Sequence, residues 1–513
     1  MENYGWLSIV PALLAIGLAI ATRQVIMSLF LAVVVGATFL HGYNPGAGLL
    51  RTFDTYILDK VADPWYAAIL IFTMMIAAMI GIVTRSGGAL AVAEALAKRA
   101  KTPRGAQLAT WLMGMVIFFD DYGSCLITGN TARPLTDRLR VSREKLSYIV
   151  DSTAAPVATM AIISTWIGFE LGVIGEGYAA IGQQVSPFFI FLQTIPYRFY
   201  SIFALALVGT IAFMLRDFGP MHAAERRART TGKVMRDGAV PLAVADTAEL
   251  LPAEGTRSHW VNFVLPVVTT IAATFIGLYV HGGGAEAGSI REAIGAADSS
   301  VVLLWSSAIG VVVAVLLVVL QKVLSLTEAL ETVVKGAKSV FLALMILVLA
   351  WGLASVSEGL GTASFLVGVV EAAQVPAAII PFVIFMVACF ISFAMGTSWG
   401  TMGILTPLAV PIAYAVGAPL IPSVGAVLTG AIFGDHCSPI SDTTILSSTG
   451  SSADHIDHVR TQMPYALLAG GVAAVVGFIP AGFGVHPLLS IGVGLAAVIA
   501  AVRFLGKSTE ADA

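Results

Sequence analysis

Long apolar segments recur along the whole chain and are separated by short polar ones. A helix needs about 17–25 mainly apolar residues to cross the hydrocarbon core of a bilayer. The pattern therefore predicts a helical protein that crosses a membrane many times. The predicted spans cover roughly residues 6–22, 24–42, 66–84, 146–175, 188–215, 260–280, 300–320, 337–356, 420–449, 462–481 and 485–504.

Two further apolar stretches, 106–131 and 378–416, are interrupted by polar and helix-breaking residues. The first contains an Asp-Asp pair and glycines, and the second contains Gly, Thr, Ser and Pro. Backbone that leaves the helical conformation is tolerated inside a membrane only where protein or a water-filled cavity covers it. We therefore predict broken helices or re-entrant hairpins in both stretches.

The composition agrees with a membrane protein. Of the 513 residues, 57% are hydrophobic and only 12% are charged, about half the usual charged share of a soluble protein. The net charge of -3 and the lack of a basic block argue against a nucleic-acid partner. Three cysteines in apolar or site-like surroundings do not predict a disulfide framework.

Lys and Arg residues suggest an orientation. They follow the first and third spans and the first interrupted stretch, and they are frequent in the polar segment near the middle and at the C-terminal end. The Lys and Arg residues at these five places fall on one side if the stretch 106–131 enters and leaves by the same face. The positive-inside tendency makes that side cytoplasmic. The C-terminus is then predicted inside, the N-terminus outside, and segments 43–64 and 281–299 outside.

The chain also repeats itself, with three short patterns that occur twice in the same order. In the orientation above, the first copy begins outside and the second begins inside, which is the inverted repeat of many transporters. The predicted divisions are a first repeat 1–215, a cytoplasmic linker 216–259, a second repeat 260–481, and an extra C-terminal helix and tail 482–513. The matches are Thr84–Leu90 with Ser357–Ala363, Asp151–Pro156 with Asp435–Pro439, and Gln193–Tyr197 with Gln462–Tyr465.

Acidic residues inside apolar stretches are the first candidates for chemistry. Asp120 and Asp121 directly follow the almost wholly apolar run 111–119. A carboxylate at membrane depth is costly, so it is usually paired, hydrated or functional. The alternative is that the pair only marks a helix end at the interface. The segment, however, continues through Leu126 and Ile127 before its basic flank begins.

The matching stretch of the second half, 395–403, has no charge but carries Thr397 and Ser398 among glycines. Hydroxyl and freed carbonyl oxygens suit a hard cation such as sodium. Close packing of helices through small residues is the alternative explanation.

Asp151 in the first half and Asp435 and Asp442 in the second are the strongest candidates. Asp435 and Asp442 lie seven residues apart, on one face of a helix if it were continuous, and Pro439 predicts a kink or unwinding between them. Helix capping could explain one of these acids, but not the cluster with its hydroxyl neighbours. Those neighbours are Ser438, Ser441, Thr443 and Thr444.

His436 lies inside this cluster, where it is either a proton relay or a hydrogen-bonded structural histidine. The run 454–458, with two Asp and two His, is interpreted as a solvated loop and helix start. No nucleotide-binding loop, nucleophile elbow or zinc-protease motif occurs. We therefore expect no enzyme activity, no cofactor, and transport driven by an ion gradient.

The block from Gly434 to Thr444, together with Phe119–Tyr122 and Gly396–Gly400, resembles the NhaC family of sodium/proton antiporters. The resemblance implies two inverted repeats with paired re-entrant hairpins, an elevator-type movement, and a place in a bacterial or archaeal cytoplasmic membrane. It also implies cation-coupled transport, although some relatives carry organic acids or amino acids with sodium or protons.

The resulting hypothesis is a secondary transporter that exchanges sodium for protons at buried aspartates. Asp151, Asp435 and Asp442 are the predicted sodium ligands, and Asp120 and Asp121 are proton carriers or partners of that site. The alternatives are a sodium- or proton-coupled transporter of a small organic acid or amino acid, and a channel or membrane enzyme. The expected partners are lipid, the two ions and a second copy in a homodimer. The predicted neutral oxygen ligands are Asn130, Thr131, Thr397, Ser398, Ser438, Ser441 and Thr443.

Overall fold

The computed structural model describes residues 4–22, 24–98, 100–241, 252, 259–362, 364–365, 368–369 and 375–509. Parts of the predicted linker, 242–251 and 253–258, therefore lie outside the described residues, as do Ala363 of the first repeated pattern and the tail 510–513. The described chain is nearly all helical. Its only regular sheet is a two-residue antiparallel pair, β1 (Arg216–Asp217) with β2 (Lys507–Ser508).

The helices follow the hydrophobic pattern. The first half holds α1 Val10–Thr22, α2 Val25–Leu40, α3 Pro45–Arg51, α4 Asp59–Ala62, α5 Pro64–Arg85, α6 Gly88–Ala97, α7 Pro103–Val116, α8 Asp121–Arg138, α9 Arg143–Ser152, α10 Ala155–Ala158, α11 Ile167–Ala179, α12 Pro187–Thr194, α13 Phe199–Met214 and α14 Gly219–Thr231. The second half holds α15 Val261–His281, α16 Ile290–Ala296, α17 Ser299–Leu320, α18 Leu326–Ser339, α19 Phe341–Gly359, α20 Ile380–Met395, α21 Ser398–Ala415, α22 Leu420–Cys437, α23 Asp442–Gly450, α24 His455–Val472, α25 Ile479–Gly482 and α26 Pro487–Leu505.

Among the described residues, nine helices are long and apolar enough to cross a membrane, and two bent pairs would add two more spans. The bent pairs are α2 with residues 45–62, at 119°, and residues 187–197 with α13, at 47°. The chain is therefore a multi-pass membrane protein, as the sequence predicts.

The single span predicted over 146–175 is wrong. The structure divides it into α9, the one-turn α10 and α11, with non-helical residues 159–166 before α11. Ala154 has a non-helical conformation, with φ −90° and ψ −97°. Pro156 lacks the amide proton that a continuous helix would need. The span predicted over 188–215 is also bent, at the turn that contains Pro196.

The predicted interruptions are confirmed. Residues 117–120 separate α7 from α8, and residues 396–397 separate α20 from α21. Gly396 takes a left-handed conformation with φ +69°, and a β-carbon there would lie 2.6 Å from the Ile440 side chain. Only glycine meets both demands without strain. A third break, residues 438–441, separates α22 from α23 around Pro439.

A hairpin followed by a broken helix thus occurs in each half: α7–α8 with α9–α10, and α20–α21 with α22–α23. The two hairpins and broken helices pack together, since α8 contacts α23, α21 and α20 contact α22, and α8 contacts α9. A second group, α5, α15, α17 and α18, packs beside them.

The described part of the predicted linker is more ordered than the sequence indicates. Helix α14 buries Met221, Ala224, Glu225 and Ala228 against the rest of the protein. Two ion pairs, Arg227 with Glu144 at 2.9 Å and Arg236 with Asp454 at 3.4 Å, join this region to the starts of α9 and α24. The sequence predicts only a linker here, whereas the structure shows that part of it is a helix packed through Met221, Ala224 and Ala228.

Candidate functional site

The breaks of the two hairpins and of the second broken helix meet at one cavity of about 400 Å³. Acidic and hydroxyl-bearing side chains form its inner wall, apolar side chains of α5 and α19 form another, and two lysines of α18 lie along its edge. We call it the acidic cavity. Its polar lining includes Asp120, Asp121, Tyr122, Thr165, Thr397, Asp442, Lys335 and Lys338.

Asp120 and Asp121 enter the acidic cavity from the start of α8. Asp120 is the residue before the helix, and its side chain accepts hydrogen bonds from the Gly123 amide at 2.7 Å and the Thr165 hydroxyl at 3.2 Å. Asp120 therefore caps the start of α8, so the pair does mark a helix end, and it does so at the lining of the acidic cavity. Asp121 is only 2% exposed, and its Oδ2 atom has no hydrogen-bond partner among the described residues.

Asp442 is the first residue of α23 and lines the same cavity as Asp120 and Asp121. The Tyr122 hydroxyl donates a hydrogen bond of 3.2 Å to its Oδ2 atom. This bond joins the tip of the first hairpin to the break of the second half.

Asp435 lies behind this wall, near the end of α22, and is buried. It accepts hydrogen bonds from Ser398 at 2.8 Å and from Ser441, while Ser441 and Thr443 lie 3.1 Å apart. Ser398 follows Thr397 in the chain, and Ser441 precedes Asp442. Thr397 and Asp442 line the cavity, so this group of side chains lies directly next to it. We call these four residues the Asp435 cluster: Asp435, Ser398, Ser441 and Thr443.

Ser438 does not join this cluster. Its hydroxyl donates to the Phe393 carbonyl at 2.8 Å. This bond joins the break between α22 and α23 to helix α20 of the second hairpin. The Thr444 hydroxyl likewise donates to the Asp435 carbonyl at 3.1 Å. These bonds satisfy backbone groups that the break would otherwise leave unpaired inside a membrane.

Asp151 shares no direct side-chain hydrogen bond with Asp435 or Asp442 in the described residues. Its Oδ2 atom accepts from Gln462 at 2.7 Å and lies 3.2 Å from His458 Nε2, and all three side chains are buried. It does not line the acidic cavity. Gln462 also donates to the carbonyl of His436, the residue after Asp435, so Asp151 lies near Asp435 without sharing a ligand with it. That Asp151, Asp435 and Asp442 bind one ion together stays a prediction.

His436 lies in the same network as Asp151, away from the cavity lining. Its Nε2 atom hydrogen-bonds to Ser152 at 2.9 Å and its Nδ1 atom to the Tyr200 hydroxyl at 2.6 Å. Both ring nitrogens are thus occupied, as a structural histidine requires. Asn130 and Thr131, two of the predicted oxygen ligands, line a separate groove between α6 and α8 instead.

Sequence reasoning missed several residues of this region. Lys335 and Lys338 lie in an amphipathic helix that no sequence pattern connects to the hairpins. Thr165 lies in a stretch predicted as regular helix. His458 and Gln462 did leave a signal, because their spacing of four residues puts both on one face of α24. The interpretation of 454–458 as a loop and helix start holds for Asp454, which caps α24, but not for the buried His458.

The chemistry of the site is that of oxygen ligands beside helix N-termini. Helices α8, α21 and α23 all begin here, and helix N-termini favour negative charge, so they stabilise ionised aspartates. Carboxylate and hydroxyl oxygens are the ligands that hard cations prefer. The arrangement can therefore hold small cations, and the helix starts can also hold an anionic group.

Comparison with known proteins assigns the family. A model of the Na+/H+ antiporter family matches residues 157–483, which is more than half of the chain. The chain belongs to the Na+/H+ antiporter family. The resemblance to NhaC-type proteins is thereby confirmed, and the matched region includes the second hairpin, the Asp435 cluster and the second broken helix.

Relatives of this antiporter-family chain differ in how much of it they cover. An uncharacterized protein of Haemophilus influenzae is 35% identical and covers 97% of this chain and 95% of its own length. The malate-2H(+)/Na(+)-lactate antiporter of Bacillus subtilis is 40% identical over 19% of this chain and 22% of its own length.

One solved structure has a comparable fold. The YdaH transporter of Alcanivorax borkumensis superposes with a TM-score of 0.53, covering 86% of this chain and 90% of its own, at 14% identity. The likeness supports the architecture of a helical membrane transporter. At this identity it carries no inference about cargo.

Proposed function

We propose that this protein exchanges sodium for protons across the cytoplasmic membrane of a bacterium or archaeon. The observation that carries the proposal is the Asp435 cluster, where a buried carboxylate meets the hydroxyls of Ser398 and Ser441 at two chain breaks. Buried ionisable groups at broken helices are typical of ion pathways. Membership of the Na+/H+ antiporter family also supports the exchange of sodium for protons.

Competition for the same aspartates would couple the two ions. A carboxylate withdrawn from water is costly as a bare anion, and either a proton or a cation removes that cost. In this proposal sodium and a proton compete for Asp435, where the hydroxyls of Ser398 and Ser441 complete the sodium site, while Asp121 and Asp442 line the ion's route through the acidic cavity. A site that accepts one ion at a time transports the two in opposite directions.

Alternating access would come from movement of the hairpins and broken helices against the helix group α5, α15, α17 and α18, an elevator-type movement. Both the movement and a homodimeric assembly are parts of the proposal. Mass photometry of the purified protein tests the dimer, since it predicts a particle of twice the chain mass plus detergent.

A sodium pulse to everted vesicles, followed with a pH-sensitive dye, tests the exchange. We expect sodium to release protons from wild-type vesicles, and Asp435→Asn to abolish the release, because an amide has no proton to give up in exchange for sodium and lacks the negative charge of the carboxylate. Asp54→Asn is the matched control, since Asp54 is half exposed and, among the described residues, its carboxylate bonds only to its chain neighbours Arg51 and Thr55. Sodium-dependent proton release by Asp435→Asn at the wild-type rate would remove the Asp435 cluster from the mechanism.

A second candidate function is the transport of a small organic anion or amino acid coupled to sodium or protons. The volume of the acidic cavity favours it, because about 400 Å³ is ample for a small organic solute and far exceeds a sodium ion. Lys335 and Lys338 at its edge supply positive charge for a carboxylate. The partial match to a malate/lactate antiporter points the same way.

Uptake of labelled carboxylates into vesicles separates the two functions. If an organic acid is the cargo, a panel of small mono- and dicarboxylates should include one that accumulates with a sodium or proton gradient, and the double variant Lys335→Gln/Lys338→Gln should weaken its apparent affinity. If sodium is the cargo, the panel should be inert and the same variant should leave the sodium-pulse response intact. Potassium and lithium pulses complete the comparison.

A further inference from the structure

A fully buried ion pair lies behind the acidic cavity, between Glu170 and Arg198. The Arg198 Nη2 and Glu170 Oε2 atoms are 2.6 Å apart, and both side chains are fully buried. Thr159 completes the set: its hydroxyl donates to Glu170 at 2.5 Å and accepts from Arg198 at 3.0 Å. We call these residues the Glu170 triad.

The triad joins the ends of three helices. Thr159 directly follows α10, Glu170 lies in the first turn of α11, and Arg198 directly precedes α13 at a bend. The non-helical residues 159–166 run between the first two of these points. Thr159 at the start of this segment and Glu170, in the helix turn that follows its end, are therefore both bonded to Arg198.

The far end of the segment contacts both hairpin breaks. The Thr165 amide donates to the Phe119 carbonyl at 2.9 Å, and its hydroxyl donates to Asp120 at 3.2 Å. The Trp166 ring packs on Trp399, at the start of α21, with ring centroids 4.5 Å apart. One short segment thus contacts the first hairpin on one side and the second hairpin on the other.

We propose that Glu170 and Arg198 are positioning residues, which hold segment 159–166 so that Thr165 and Trp166 keep the two hairpin breaks in register for cation binding. Stability is a weak explanation for such a pair, because replacing a buried ion pair by apolar side chains of similar size often leaves stability unchanged or raises it. The inference rests on the proposed cation exchange for its kinetic part. Its structural part, the order of segment 159–166, stands without it.

The double variant Glu170→Leu/Arg198→Met tests the proposal, since it removes the pair without leaving a buried charge unpaired. We expect a folded protein whose apparent KM for sodium rises about tenfold or more while its maximal rate changes little, because misplaced ligands weaken binding. Amide hydrogen exchange should accelerate within 159–166 and stay unchanged in α22. The variant Thr159→Val, which removes only a hydroxyl, should give a smaller shift of the same kind.

The matched control is Lys145→Met/Asp217→Leu. Lys145 and Asp217 also form a fully buried ion pair, but it joins α9 to β1 at the linker and not to the hairpin breaks. This control should keep the wild-type KM for sodium and the wild-type exchange in 159–166.

The outcomes separate the two proposals. Wild-type KM and wild-type amide exchange in both triad variants would overturn the positioning role. If the double variant does not fold, Thr159→Val alone decides by the same two measurements. If the wild type shows no sodium-dependent proton release, the proposed function fails, and hydrogen exchange still decides whether the triad orders the segment.

Discussion

At the scale of single residues, a common feature of the cavity's carboxylates is that each stands at the start of a helix. Asp120, Asp121 and Asp442 all stand at or before the first residue of a helix, where the amide dipoles favour negative charge. Their surroundings differ: Asp120 accepts hydrogen bonds from Thr165 and Gly123, whereas Asp442 accepts one from the Tyr122 hydroxyl. Asp121 is buried, Asp120 is partly buried and Asp442 is exposed, so Asp442 is the most accessible of the three to an ion that enters the acidic cavity.

Tyr122→Phe tests the contact between the first hairpin and the second half. It removes the 3.2 Å hydrogen bond to Asp442 and keeps the ring. A hydrogen bond of this kind contributes about 0.5–1.5 kcal/mol, so we expect the apparent KM for sodium in the vesicle assay to change roughly two- to tenfold. Tyr414→Phe, at an exposed position of α21, should leave it unchanged. An unchanged KM in Tyr122→Phe would mean that the contact does not affect the ion site.

At the scale of helices, close approach of backbones decides where the acids lie. A β-carbon on Gly434 would lie 2.1 Å from the Phe393 amide nitrogen and 2.4 Å from the Ser392 carbonyl carbon. Helices α20 and α22 therefore cross in contact directly beside Asp435. Small residues at such crossings are typical of membrane helix packing, so here small-residue packing occurs directly beside the proposed ion ligand.

Gly434→Ala should separate these two helices. Overpacking at a backbone contact costs about 1–3 kcal/mol, and the displaced α22 would also move Asp435. We expect a lower melting temperature in detergent and a weaker sodium response. Gly471→Ala in α24 is the control, because a β-carbon there meets no atom within 4 Å. Equal melting temperatures for the two variants would contradict the crossing as described.

At the scale of the whole molecule, the linker and the C-terminal tail form one surface. Strand β1 of the linker pairs with β2 of the tail, and His222 of α14 lies 3.2 Å from the Ser508 carbonyl. The two regions must therefore lie on the same side of the membrane. This agrees with the predicted cytoplasmic position of both, which the distribution of Lys and Arg indicates.

Labelling of introduced cysteines tests that topology. The three native cysteines are buried, so the background should be low. An impermeant maleimide should label Lys507→Cys in everted vesicles and Asp54→Cys in intact cells, since residues 43–64 are predicted outside. The reverse pattern would show that the orientation is opposite to the predicted one. Labelling of both positions from the same side would contradict their predicted placement on opposite sides of the membrane.

The sequence by itself determined the class of the protein and three of the places where its helices break. Hydrophobic length sets which segments can span a bilayer, and Gly, Pro and paired Asp set the breaks at 117–120, 396–397 and 438–441, because these are local properties of the chain. The NhaC-type motif determined the family for the same reason, since it is one short continuous block.

Only the tertiary structure decided which acids share a site. Asp151 resembles Asp435 in its local sequence, yet it is bonded to His458 and Gln462, while Asp435 is bonded to Ser398 and Ser441. Lys335 and Lys338 reach the acidic cavity from a helix with no motif of its own. Such groupings depend on how distant helices pack, and packing arises from contacts between residues far apart in the chain, which no local pattern records.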